Sequence, residues 1–225
     1  MMLKSSAIKN KYIAYGGGVG SSTLILKNVK EIRSGDLEVI FVNHGSDLPE
    51  TYEYVKRIQD NLDIEITTRK PENLFDYCWQ HYILPSIHWR WCTDKFKIRV
   101  LKKYTGDDTP IIGLSWDERW RARDFQINGK SDFPLIEQEI SKRKALLEFK
   151  DIPVPCKSGC FFCPFQKKEQ WRLLFFNYPY LFLKSLLLED RCRKRNPNIW
   201  LYKGLLKNLN REFKEQQILI DEVLS

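Results

Sequence analysis

Three cysteines fall within one short stretch of the chain, Cys156, Cys160 and Cys163 in PVPCKSGCFFCPF. Pro153, Pro155, Gly159 and Pro164 bracket them in a loop, where three thiols can converge on one ion or cluster. Completing a four-thiolate set requires one further cysteine from elsewhere, and such a set suits tetrahedral zinc or an iron–sulfur cluster. Structural zinc sites commonly pair two CxxC knuckles, whereas this run contains one, so a C-x3-C-x2-C run with a distant fourth thiol reads as a cluster site, with zinc as the alternative. A third reading is a redox pair in which Cys160 and Cys163 form a catalytic disulfide. Of the six cysteines, Cys78 in FDYCWQ reads as core and Cys192 in RCRKR as surface.

A second chemistry-bearing stretch lies near the start. Gly16, Gly17, Gly18 and Gly20 let the backbone approach a ligand closely, and Ser21, Ser22 and Thr23 add hydroxyls. A glycine-rich turn between a strand and a helix presents backbone N–H groups to phosphate or pyrophosphate. No GK[ST] follows, so it is not a Walker A motif, and it is not a clean GxGxxG. Asn43, His44, Ser46 and Asp47 form a polar loop; Asp47 can hold magnesium or cap the helix that follows. Asp117, Glu118, Arg121 and Arg123 form a mixed-charge cluster suited to a magnesium–triphosphate or an acidic substrate, or to a surface ion-pair network.

The elements that must position these residues alternate in type. Lys11–Tyr15, Leu37–Val42, Asp63–Thr67 and Pro110–Leu114 read as strands, near-continuously apolar in the second, as in a buried parallel sheet. Helical spacing follows the glycine turn, and Pro49 and Glu50 open a helix running to about Leu62. The alternation predicts an α/β, Rossmann-like parallel sheet, with ligands at the carboxyl ends of the strands. The glycine turn, the Asn43–Asp47 loop and Ser115–Arg123 each lie just past such an end. Past about residue 150 the chain becomes a cysteine-rich loop and two aromatic-rich helices, Glu169–Leu188 and Ile199–Leu224. The predicted division is therefore 1–150 and 151–225.

The chain has 225 residues, 43% of them hydrophobic, which is enough for a packed core and excludes intrinsic disorder. No apolar run reaches the length of a spanning helix, and Met1–Asn10 lacks the apolar stretch of a signal peptide. A soluble, cytoplasmic protein with no membrane partner is expected. The net charge of +8 suits a nucleotide or a polynucleotide, or merely a solvated basic surface. Trp89, Arg90, Trp91, Lys95 and Lys97 interleave rings with charges, and Lys142–Lys144 and Arg191–Arg195 add basic patches that can stack bases and hold a phosphate backbone.

Four segments together resemble a known family. YGGGVGSST resembles the PP-loop of ATP pyrophosphatases, usually SGGxDS, and FVNHGSDLPETYEYVKRI, RWCTDKFKI and IIGLSWDERWRA resemble successive segments of phosphoadenosine-phosphosulfate (PAPS) reductases. Here Tyr15 stands at the usual first Ser, the usual Asp has no counterpart, and the loop is one residue longer. The resemblance implies the adenine nucleotide α-hydrolase fold, with ATP on Tyr15, Gly16–Gly18 and Gly20–Thr23 and adenosine or phosphate contacts from Asn43, His44 and Ser46. It implies roles for Asp47, Asp117, Glu118 and Arg121 with Mg2+ and substrate. Because relatives place a functional cysteine in the RWCTDKFK segment, Cys92 becomes the fourth ligand beside Cys156, Cys160 and Cys163, and a 4Fe–4S cluster agrees with sulfur-transfer members.

The expected function is ATP-dependent sulfur transfer to a nucleic acid, as tRNA thiolation or DNA phosphorothioation, with a cysteine desulfurase as donor. One alternative is a reductase of PAPS or adenylyl sulfate, whose nucleophilic cysteine usually lies in a C-terminal segment; Ile218–Ser225 contains none. The other is a non-catalytic nucleotide-binding subunit whose metal site is structural.

Overall fold

In the computed structural model, residues 11–125, 130–156 and 158–224 are described. Four parallel strands, β1 (Lys11–Tyr15), β2 (Glu38–Val42), β3 (Thr67–Arg69) and β4 (Thr109–Ile112), form one sheet in the order β3-β2-β1-β4. In the central strand, Ile13 lies opposite Val39 on one side and Ile111 on the other. The topology is α/β and Rossmann-like, and it places β1 and its glycine turn in the middle of the sheet. Strand β2 is buried along four of its five residues, as a central strand of a parallel sheet must be.

The third strand begins later than the sequence pattern places it. The helix Pro49–Leu62 ends on Asp63 in the left-handed conformation (φ 47°), and Ile64 donates its N–H back to Gln59 at 3.2 Å. Ile64 and Ile66 are therefore buried as core in the approach to the strand, and ladder pairing starts only at Thr67 opposite Ile40. Their apolar alternation mimics a strand because they face the same core.

Contacts group the chain into two compact units that interleave in sequence: Met1–Pro71 with Lys95–Ser158, and Glu72–Asp94 with Gly159–Ser225. The first holds the sheet. Its largest apolar cluster joins Ile13, Leu24, Ile25 and Val39 to Val55 and Ile58 from the Pro49–Leu62 helix.

The second unit is mostly helical. The stretch read as one helix from Glu169 is two, Lys168–Asn177 and Pro179–Arg195, because Tyr178 leaves helical geometry (φ −137°, ψ 61°) before a proline that can only start the next helix. The last helix starts at Leu206 rather than near Ile199, after Leu205 at φ 65°. Its first turn is capped from outside: buried Glu189 accepts N–H bonds from Leu206 at 2.8 Å and Leu201 at 2.7 Å. Phe75, Phe161 and Phe162 pack ring against ring, with centroids 5.0 to 5.7 Å apart. Among the described residues, no helix is long and apolar enough to cross a membrane.

Candidate nucleotide site and cysteine loop

The glycine turn is built by close packing of backbone on backbone. The helix Val19–Lys27 starts directly from it, with Gly18 at the N-cap and Ser22 N–H bonded to Gly18 O at 3.0 Å. As the second residue of that helix, Gly20 lies against the carbonyl of Gly113, at the exit of β4. A Cβ on either glycine would fall inside the other segment's backbone. The helix is thereby pressed onto the carboxyl edge of the sheet. Gly17 takes φ 69°, a conformation that favours glycine. The turn thus presents its N–H groups at a helix N-terminus, where an anion is favoured.

The hydroxyls that follow divide by burial. Ser21 closes the turn locally, accepting from Gly16 N–H and lying near Gly18 O, both at 3.3 Å. Ser22 and Thr23 are fully buried; Ser22 is bonded to the Tyr15 hydroxyl and Thr23 to the Ala145 carbonyl, each at 3.3 Å. Tyr15 is itself a core residue packed on Phe41, and burial pushes its phenol well above the ordinary range. In this structure Tyr15, Ser22 and Thr23 hold the helix to the sheet, and Gly16, Gly17, Gly18 and Gly20 form the cradle.

Past β2, the Asn43 side chain accepts from Gly45 N–H at 2.9 Å and so shapes its own turn. His44, Ser46 and Asp47 are all buried, which is unusual for a polar loop. His44 Nε2 lies 3.4 Å from Asp47 Oδ2. Burial lowers the His44 pKa to about 4; Asp47 partly opposes the shift and Lys97 adds to it. The imidazole is therefore neutral at pH 7, and the contact is imidazole to carboxylate rather than an ion pair. Asp47 does not cap the next helix: Leu48 is its N-cap and no side chain bonds there.

The cluster after β4 is largely engaged in structure. Asp117 accepts the Lys142 N–H at 2.6 Å, and Glu118 is ion-paired with Arg121. Asp117 thereby anchors the short helix Lys142–Leu146, whose Ala145 carbonyl receives Thr23.

Sequence reasoning passed over three residues beside the turn. The Thr51 methyl carbon stands 2.8 Å from where a Gly17 Cβ would be, and Ser158 Oγ lies 3.0 Å from the corresponding Gly18 position. Ser115, just beyond Gly113, is 3% exposed. The Thr51 and Ser115 hydroxyls are buried without a hydrogen-bond partner among the described residues. Thr51 stood within the LPET segment already quoted, but only the tertiary contact marks it.

The predicted ligand cysteines fall into both units. Cys92, Cys160 and Cys163 belong to the second, where Cys163 N–H bonds Cys160 O at 3.1 Å and closes a tight turn. Cys156 belongs to the first and is exposed; partial burial, together with Glu50 and Glu53, raises its pKa and favours the neutral thiol. Cys78 is core as read. Cys192 is not surface: it is fully buried, and burial lifts its pKa to about 11. It sits one turn beyond buried Leu188 and Glu189, while the flanking Arg191 and Arg193 bond the Trp79 and Ile199 carbonyls and Lys194 and Arg195 are exposed.

Several basic side chains in the candidate nucleic-acid patches have structural partners. Arg191 bonds the Trp79 carbonyl at 3.0 Å and stacks on Tyr82 at 4.1 Å, and Arg193 bonds the Ile199 carbonyl. Of the interleaved tryptophans, Trp91 is buried and bonded to Leu84 O, while Trp89 is 69% exposed.

The family model of the phosphoadenosine phosphosulfate reductase domain matches residues 11–131. Two proteins of Methanocaldococcus jannaschii are also similar. The uncharacterized protein MJ0973 is 25% identical over 198 residues, covering 78% of this chain and 47% of that protein. The uncharacterized protein MJ0066 is 24% identical over 233 residues, covering 88% and 47%. The chain spans about half the length of these curated relatives.

Proposed function

The chain belongs to the phosphoadenosine phosphosulfate reductase domain family, and from that premise we propose ATP-dependent sulfur transfer to a nucleic acid, either tRNA or DNA. The observation that carries the reading is the glycine cradle, seated at a helix N-terminus on the carboxyl edge of the central strand. ATP would place its phosphates there, where the backbone N–H groups stabilise charge developing on them; bound Mg2+ would supply further positive charge. Buried Asp47 is the carboxylate proposed for Mg2+, held in place by neutral His44. An acceptor oxygen attacks the α-phosphorus, the bond to the β-phosphate oxygen breaks, and pyrophosphate leaves. The terminal sulfur of a persulfide, formed by a cysteine desulfurase, then attacks the activated centre. AMP departs with the oxygen, and a second thiol cleaves the remaining sulfur–sulfur bond to free the thiolated product.

Cys92, Cys160 and Cys163 offer soft thiolate donors within one compact unit, which suits a 4Fe–4S cluster. Bound there, such a cluster supplies an iron site for a sulfur ligand, with zinc as the structural alternative. Cys156 is the weakest member of the proposed ligand set, since partial burial and the nearby Glu50 and Glu53 oppose its thiolate. A reductase of PAPS or adenylyl sulfate is the second reading, favoured by the family itself. Incubation with ATP, a persulfide donor and tRNA or DNA separates the two. Pyrophosphate release with sulfur incorporated into the acceptor supports the proposal. No turnover of ATP, with thiol-dependent sulfite release from PAPS, replaces it with the reductase reading. Iron and sulfide assays on anaerobically purified protein test the cluster; one zinc per chain and no iron would remove it.

A further inference from the structure

We infer that the Thr51 hydroxyl is a further phosphate ligand of the glycine cradle, contributed by the first turn of the Pro49–Leu62 helix; this rests on the nucleotide-binding reading above. Thr51 is the third residue of a 14-residue helix and is 1% exposed. Its Oγ1 has no hydrogen-bond partner among the described residues. A buried hydroxyl left in that state costs roughly 1 to 3 kcal/mol, so a folded protein keeps one where a ligand satisfies it. Its methyl carbon stands 2.8 Å from the position a Gly17 Cβ would occupy, which packs the Thr51 side chain against the turn.

Two helix N-termini therefore meet at Gly17: Val19–Lys27, which starts from the turn, and Pro49–Leu62, which abuts it. Both favour an anion at the same point. Glu50, the preceding residue, also keeps a buried carboxylate oxygen with no hydrogen-bond partner among the described residues. A bare anion would be repelled by it, so the group that fits is a phosphate carried with a divalent cation.

Thr51→Val removes the hydroxyl and keeps a methyl against Gly17. Magnesium pyrophosphate and magnesium ATP are titrated calorimetrically into the wild-type 225-residue chain and into T51V and T51S, and unliganded melting temperatures are recorded. The expected result is an approximately tenfold weaker affinity of T51V for both ligands. T51S should stay within about threefold of wild type, and the unliganded T51V should melt no lower, since it loses no internal hydrogen bond. Unchanged affinity in T51V, or a T51V melting temperature several degrees below wild type, overturns the inference while leaving the nucleotide reading intact. A wild-type protein that binds neither ligand overturns both.

Discussion

The glycine turn and the cysteine loop are both short runs dense in small or polar residues, yet the two units build them in opposite ways. In the sheet unit the cradle is made of main chain: Gly20 against Gly113, and N–H groups at a helix start. Its hydroxyl side chains, Ser22 and Thr23, are consumed in holding that geometry. In the helical unit side chains carry the structure. Glu189 satisfies the start of the last helix, Phe75, Phe161 and Phe162 pack ring against ring, and Cys160 and Cys163 flank the tight turn that carries two of those rings. A backbone site tolerates almost no added volume, whereas a side-chain site tolerates volume but not loss of charge or polarity.

The largest test of that contrast is one methyl group. Gly113→Ala should destabilise the protein by at least about 3 kcal/mol in urea unfolding, because backbone must move to admit it. Gly16→Ala, with open space around its Cβ, should cost less than about 1 kcal/mol. Equal losses would show that the cradle is not backbone-packed. In the helical unit, Glu189→Ala should cost about 3 kcal/mol, since it strands the N–H groups of Leu201 and Leu206. Glu189→Gln, which keeps one acceptor oxygen, should recover part of that loss. A silent E189A would deny the carboxylate its capping role.

A comparable effect should appear with pH. The folded His44 pKa, about 4, lies below the ordinary 6.5. The unfolded chain therefore binds the extra proton first, and stability present above pH 6.5 declines as pH falls toward 4. The loss should approach about 3 kcal/mol in metal-free buffer. His44→Gln should show a visibly smaller decline over that range; a parallel decline would mean that other groups set the acid sensitivity.

The smallest effect is kinetic. In metal-free protein a thiol reagent at mildly alkaline pH should label exposed Cys156 first and leave Cys78 and Cys192 unlabelled until the protein unfolds. Mass spectrometry reads the order. Early labelling of Cys192 would place it on the surface after all.

Composition and spacing alone carried the parallel sheet, because Lys11–Tyr15 and Leu37–Val42 are apolar strands separated by a helix whose glycine start has few other uses. They also isolated the CKSGCFFC loop and the proline opening of Pro49–Leu62. The sequence could not separate a strand from buried coil at Ile64 and Ile66, since both face one core with the same alternation. Nor could it see Tyr178 breaking the long aromatic stretch into two helices, or Cys192 buried within a run of basic residues.

The function of individual side chains was the least legible. Local pattern marks Ser22 and Thr23 as donors and leaves Thr51 in a helix start. The fold reverses this, because each hydroxyl's surroundings are set by residues distant in sequence: Ala145 takes Thr23, 122 residues away, while Gly17 packs against Thr51. The sequence determined that a close-approach turn and a thiol loop exist. Tertiary packing decided which hydroxyls hold the scaffold and which remain to meet a ligand, since only packing sets what is buried and what is already satisfied.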